Sequence, residues 1–250
     1  MRYFNLFCEL VKKGIRLKYR RSYLGVLWSL IEPLLTMIVL TLVFGTLLDH
    51  HEASFPVYIL AGRLIYGFFS QATTAALKSV RANEGLIKKV YVPKLLFPLS
   101  GICFNFILFL ISLPVLAVVS LVLKCYPTVR LLLIVIPLVT LFLLAAGVGI
   151  VLATAGVYFR DLEYLWNIAL MLIMYTSAIF YYPERILDSN VSWLLELNPL
   201  FCVISLARAC IFGTPLGNWD VVYPLCFAAV CAALGTVVFR KKENEFLLHI

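Results

Sequence analysis

The sequence predicts an all-α integral membrane protein with six transmembrane helices, an N-terminal amphipathic helix at the membrane interface, and re-entrant outer helices between spans 5 and 6. Three observations predict it. Of 250 residues, 63% are hydrophobic and 14% charged, with a mean hydropathy of +0.99, whereas soluble domains carry roughly 25% charged residues. The apolar residues come in blocks long enough to cross a bilayer, whose core of about 30 Å needs about 20 helical residues. The basic residues gather between alternate blocks.

Residues 1–22 form the first element. Tyr3, Phe4, Phe7, Leu10, Val11, Gly14 and Ile15 recur at steps of three and four, opposite Asn5, Glu9, Lys12, Lys13 and Arg16, which is the pattern of one apolar helix face. The basic face suits a headgroup layer, either as an anchor or as a docking surface for a cytoplasmic partner. A signal peptide needs an unbroken apolar run, and Glu9, Lys12 and Lys13 interrupt this one, so the segment is expected to remain in the protein.

The spans follow at 26–48, 56–77, 95–123, 131–159, 164–182 and 221–239. The first contains Glu32 and the second Arg63; the others are free of charged residues inside their apolar cores. In the first, Leu24 to Leu48 would make about 37 Å of helix and Pro33 to Leu48 only about 24 Å, so a bend is expected near Pro33. Glu32 is then either a helix-start residue, favoured by the positive end of the helix dipole, or a charge facing a protein interior or water-filled path.

Loop 78–94 is basic, and 183–220 is broken by Pro183, Pro199, Gly213, Pro215 and Gly217. Trp193–Gly213 is apolar but interrupted by Glu196, Asn198-Pro199 and Arg208, so it is expected to dip into the outer face without crossing. With six spans, residues 1–25, 78–94, Arg160 and Arg240–Lys242 lie on one side and hold sixteen of the 21 Lys and Arg. The positive-inside bias places both termini in the cytoplasm. A net charge of +8 needs no nucleic acid to explain it, because the excess borders membrane ends, where anionic lipid attracts it. The seven cysteines show no CxxC spacing and read as small core residues.

Several patterns carry a family resemblance. KYRRSYLGVLWSLIEPLL at 18–35, VFG at 43–45, LIKKVYVPKLLFPLS at 86–100, YFRDLEYL at 158–165, TSAIFYYPERIL at 176–187 and LNPL at 197–200 together resemble the permease subunit of ABC-2-type polysaccharide exporters, the O-antigen, capsule and teichoic-acid transporters. The resemblance spans most of the chain as a single transmembrane domain. It implies a homodimer in the bacterial inner membrane, bound to two copies of a separate P-loop ATPase and exporting a glycan on a polyprenyl-diphosphate lipid. No cofactor is expected on this chain, ATP and Mg belonging to the ATPase. Consistent with that, none of the 13 glycines precedes a lysine, as a P-loop requires.

The resemblance also implies ATPase contacts at Glu84, Gly85, Leu86, Ile87, Lys88, Lys89, Val90, Tyr91, Val92 and Pro93. A solvated basic loop is the plainer alternative. Where such permeases commonly read Gly-Leu-(Leu/Ile)-Pro-Trp, this chain has Gly62-Arg63-Leu64-Ile65-Tyr66. Arg63 would meet an anionic group of the substrate, or snorkel, or pair within the protein.

A lipid-linked glycan joins a diphosphate to sugar rings with apolar faces, so its path should combine cations and aromatics. Lys18, Arg20 and Arg21 are candidates for the diphosphate, and positive-inside orientation alone would also explain them. Tyr66, Phe69, Tyr175, Phe180, Tyr181 and Tyr182 are candidates for the sugars, or members of an interfacial aromatic belt. Ala145-xxx-Gly149 and Gly149-xxx-Ala153 mark a close helix contact, within one subunit or between two. The rival readings are an ABC-2 permease for a drug or simple lipid, a polyprenyl-linked membrane glycosyltransferase, and a stand-alone channel or ion-coupled carrier. An enzyme should cluster its carboxylates or metal ligands, and the dense group here, Asp49-His50-His51-Glu52, reads as a polar turn.

Overall fold

The computed structural model describes residues 2–20, 22–48, 52–89, 92–125, 128–243 and 245–246, and among them the chain forms helices and turns with no strand. The α-helices are α1 (Arg2–Tyr19), α2 (Trp28–Leu48), α3 (Phe55–Ala82), α4 (Glu84–Ile87), α5 (Leu96–Val122), α6 (Val135–Tyr158), α7 (Leu162–Tyr175), α8 (Glu184–Leu187), α9 (Trp193–Glu196), α10 (Pro199–Phe212) and α11 (Asn218–Lys242). Short 3₁₀ turns at Gly25–Leu27 and Val129–Ile134 lead into α2 and α6.

Four stretches among the described residues are long and apolar enough to cross a membrane: Gly25–Leu47, Leu96–Val122, Arg130–Tyr158 and Asn218–Lys242. The expected second span falls within α3, whose 28 residues make about 42 Å of helix. It has the length, but Arg63, Gln71, Lys78 and Arg81 lower its hydropathy. The expected fifth span, 164–182, is a shorter helix than its apolar sequence suggests. α7 has 14 residues and stops at Tyr175; the Thr176 and Ser177 hydroxyls bond back to Leu172 O and Ile173 O, and Ala178 then turns the chain at φ +46°.

The bend expected at Pro33 lies earlier. Gly25, at φ +49°, makes the turn, its N–H donating to Ser22 Oγ, and α2 begins at Trp28. Glu32 therefore stands in the second turn of α2 rather than at its start.

Helix α3 is the axis of the bundle. Leu60, Leu64, Phe68, Phe69, Ala72 and Ala76 from α3 meet Ile102 and Phe109 of α5, Leu141 and Leu144 of α6, and Val203 and Ala207 of α10. Small residues set the spacing, as expected where lipid removes the hydrophobic advantage of helix pairing and close packing must supply it. Gly149 lies against Ile102 and Ala76, and Gly156 against Leu77, so the small-residue face of α6 is used within this chain. Gly147 points the other way, onto the backbone of α11 at Ala228 and Ala232.

A second cluster gathers Val80, Ile87, Phe97, Val157, Phe239 and Phe246, with Leu10 of α1 packed against it. Both ends of the chain and loop 78–94 thus share one end of the bundle, called here the near end. α2 and α7 are sparsely covered. Leu35, Val39, Leu42 and Leu47 of α2, and Leu165, Ile168, Met171 and Leu172 of α7, are exposed.

Candidate functional site

Toward its near end the apolar bundle holds a polar cleft, between α1, α2, α3 and α5. Its volume is about 120 Å³, and its lining includes Lys18, Glu32, Arg63, Gln71, Asn105 and Ser112. Lys18 Nζ donates to Gln71 Oε1 at 2.7 Å. Loss of solvent around its ammonium lowers the Lys18 pKa, and the Glu32 carboxylate opposes the shift. Arg63 lies eight residues before Gln71, about 12 Å deeper along α3, with its guanidinium carbon 5.7 Å from the Tyr66 ring centroid.

The uncharged groups of the cleft are occupied locally. Asn105 Nδ2 donates to Gly101 O at 2.8 Å, Ser112 Oγ to Phe109 O at 2.7 Å and Thr36 Oγ1 to Glu32 O at 2.8 Å. The charge of the cleft therefore rests on Lys18, Glu32 and Arg63, a net single positive. Ionisable side chains at membrane depth face interiors or water-filled paths, and this group can receive an anionic head from the near end.

The structure thus brings together Lys18, Glu32 and Arg63 of the residues singled out from sequence. Arg20 is exposed outside the cleft lining, and Arg21 lies outside the described residues. Sequence reasoning passed over Gln71 and Asn105; the available signal was a polar side chain within a long apolar run.

Loop 78–94 is built as an apolar wedge with a basic outer side. Ile87 is buried in the near-end cluster, Leu86 and Val92 pack on it, and Lys88, Lys89 and Gly85 face outward. Lys88 Nζ pairs with Glu84 Oε1 at 2.5 Å; Val90 and Tyr91 lie outside the described residues, as do residues 49–51 of the Asp-His-His-Glu group. The end of the chain closes over the wedge. Lys94 donates to Glu243 O, and Tyr158 OH to Glu245 Oε2, with Phe246 edge-on to Phe239 at 5.1 Å.

Opposite the cleft, α7 is laced to α3 by a series of polar contacts. Lys78 pairs with Glu163 at 2.9 Å, Trp166 Nε1 donates to Thr73 Oγ1, and Tyr66 OH donates to Leu170 O. Beyond α7, the turn at 176–182 is held from a distance. Asn198 Nδ2 donates to Thr176 Oγ1 and Ser177 Oγ, both at 3.0 Å, while its Oδ1 caps α10 by accepting from Leu200 N. Arg208 of α10, buried, donates to Tyr58 O, Ala178 O and Ile179 O. Removing the Asn198 cap and both turn bonds together should lower stability by about 1–2 kcal/mol, read as an earlier thermal midpoint of Asn198→Ala in micelles.

The candidate aromatics divide between packing and surface. Phe180 stacks on Phe44 at 5.1 Å, Tyr181 OH donates to Tyr175 O at 2.7 Å, and Tyr182 lies against Tyr58 with its hydroxyl to Glu52 Oε2. Tyr175 is 51% exposed. Phe69 reaches a separate open groove of about 460 Å³ shared with Trp166, Trp193 and Phe227. Of the cysteines, Cys202 and Cys210 are buried, Cys226 is exposed, and all seven are free thiols.

The sequence matches the ABC-2 type transporter family over residues 5–212. The chain belongs to that family. This ABC-2 chain is 28% identical to the O-antigen export system permease protein RfbA of Klebsiella pneumoniae, over 97% of its length and 94% of that protein's. It is 28% identical to RfbA of Myxococcus xanthus over 98% and 95% of the two chains. To the polysialic acid transport protein KpsM of Escherichia coli it is 26% identical, over 94% and 92%. The ABC-2 chain is a multi-pass membrane transporter subunit rather than an enzyme.

Proposed function

We propose that this chain is the permease of an ATP-driven exporter that carries a polyprenyl-diphosphate-linked polysaccharide across the bacterial inner membrane. The near end faces the cytoplasm, α3 and α7 cross with the four long apolar helices to give six spans, α1 lies at the interface, and α8–α10 form the outer re-entrant region. Two copies of the permease work with two copies of a separate ATPase, which binds ATP and Mg and presses on loop 84–93. The names and full-length coverage of the relatives support the polysaccharide class. Basic residues crowding the near end support the orientation.

The observation that carries the mechanism is the meeting of Lys18, Glu32 and Arg63 in one cleft. The diphosphate head enters beside Lys18 and passes toward Arg63, while the isoprenoid tail stays in lipid along the exposed face of α2. Glu32 keeps the cleft from holding the anion too tightly, since a transport site must release what it binds. Sugar rings follow over exposed aromatic faces such as Tyr175, with Phe69 and Trp166 in the neighbouring groove.

Reconstituted with its ATPase, the permease should show ATP hydrolysis stimulated by polyprenyl-diphosphate-linked glycan. Charge-assisted phosphate contacts contribute about 1.5–3 kcal/mol each, so Lys18→Gln combined with Arg63→Gln should weaken half-maximal stimulation by about a hundredfold or more. Unaltered stimulation in a correctly inserted double variant would remove the cleft from the path. Stimulation by simple phospholipid and none by the glycan carrier would favour a lipid-exporting ABC-2 permease instead.

A further inference from the structure

A second cavity, at the end of the bundle opposite the termini, has the contrary chemistry. It measures about 260 Å³ and lies between α3, α5, the 3₁₀ turn before α6, α6 itself and α10. Its wall along α5 runs from Phe109 to Leu121, about 18 Å of helix, which makes it a slot. Polar groups on its surface are already used: Ser120 Oγ donates to Leu116 O at 2.8 Å and Cys125 Sγ to Leu123 O. Water has nothing to bond there, and apolar cavities of about 150 Å³ stay dry and take up a benzene ring. Left empty, the slot would forfeit packing contacts along every wall.

The slot also has a side entrance. Ala117 and Leu121 of α5, and Leu131 of the 3₁₀ turn, line it and are exposed, so it opens between α5 and α6 toward the surrounding hydrocarbon. Chain neighbours of the mouth are cationic. Lys124 follows Leu121 by one turn and Arg130 precedes Leu131; both are exposed, and Arg130 is braced by donating to Gly213 O at 2.9 Å.

We infer that this slot is a structural lipid site, holding one acyl chain of a bilayer phospholipid with the lipid phosphate against Lys124 and Arg130. The inference needs the chain to be embedded in a membrane and does not depend on what it exports. Bulk phospholipid surrounds the mouth at far higher concentration than any carrier lipid, and mass action fills the site with it. The bound chain would complete the packing between α5, α6 and α10.

The test is native mass spectrometry of the full chain after detergent exchange, with thermal midpoints measured before and after adding back phosphatidylglycerol. One phospholipid per chain should survive exchange, and phosphatidylglycerol should raise the midpoint of stripped protein. Ala117→Phe, which fills the mouth, should reduce retained phospholipid about tenfold and abolish the thermal response, and Leu121→Trp at the exposed rim serves if that variant folds poorly. Lys124→Gln with Arg130→Gln should lower retention while leaving the cavity intact. Retention unchanged by both mouth variants would overturn the site, as would retention of an isoprenoid lipid in place of phospholipid, or neither retention nor thermal response in the parent protein.

Discussion

Replacing Arg208 with methionine should unfasten the bundle at the end opposite the termini, lowering the thermal midpoint sharply and abolishing export at normal expression. The guanidinium lies 3.3 Å from the Tyr58 ring centroid. Nε and Nη2 donate to Tyr58 O at 3.3 and 3.1 Å, Nη1 to Ala178 O at 2.9 Å, and Nη2 also to Ile179 O at 3.4 Å. Three carbonyl dipoles and a π face thus replace the water that a buried cation has lost. Methionine fills part of the volume but offers Tyr58 O, Ala178 O and Ile179 O no donor in place of the guanidinium, and leaving a buried hydrogen-bonding group unmet costs about 1–3 kcal/mol. Lysine should recover little, because a point ammonium cannot lie flat on the ring and reach three oxygens at once.

Gly62 supplies an independent check on the same contact. A Cβ at that position would stand 2.7 Å from Arg208 Nη2, so Gly62→Val should push the guanidinium aside and reproduce a large part of the defect. If Arg208→Met melts with the parent protein, the turn at 176–182 is held by Asn198 and Tyr58 without it. Tyr58 OH does donate to Ala178 O and Tyr181 O, so that outcome has a physical route.

The helical class was legible because hydropathy reports directly on burial in lipid, and α5, α6 and α11 follow their apolar blocks closely. The end of α7 was not legible. TSAIFYY is apolar enough to continue a span, and what stops it is Asn198 and Arg208, bonded to it across 21 to 30 residues of chain. Two of the quoted motifs, TSAIFYYPERIL and LNPL, are therefore the two halves of one contact. In the cleft, Lys18, Glu32 and Arg63 each stood out as charges in or beside an apolar run, but their meeting depends on how α1, α2 and α3 pack. Arg208 counted only as an interruption of Trp193–Gly213. Its role follows from Gly62 and Tyr58, well over a hundred residues earlier.

The other large effect is expected at Gly147, where the neighbours cannot move aside. An added Cβ would come within 2.8 Å of Ala228 O and 2.9 Å of Ala232 N, both backbone atoms of α11, so no rotamer change relieves the contact and the two helices must separate. Overpacking commonly destabilises by about 1–3 kcal/mol, and Gly147→Ala should fall in that range. Gly147→Leu should go further and leave little folded protein, because the seam is as tight at Gly235, where an added Cβ would stand 3.0 Å from Val151 Cγ2. Gly67→Ala is the control. It lies within α3 with nothing inside 4 Å of the added carbon, so helix propensity alone applies and a gain of up to about 1 kcal/mol is expected. Thermal unfolding in micelles, with far-ultraviolet dichroism for helix content, separates the three. The seam also carries the end of α11 and Phe246 onto the cluster that seats Ile87, so even the milder alanine variant should loosen the grip of loop 84–93 and reduce coupled ATP hydrolysis more than it reduces helix content. Equal melting of Gly147→Leu and the parent would mean that α6 and α11 do not lie this close.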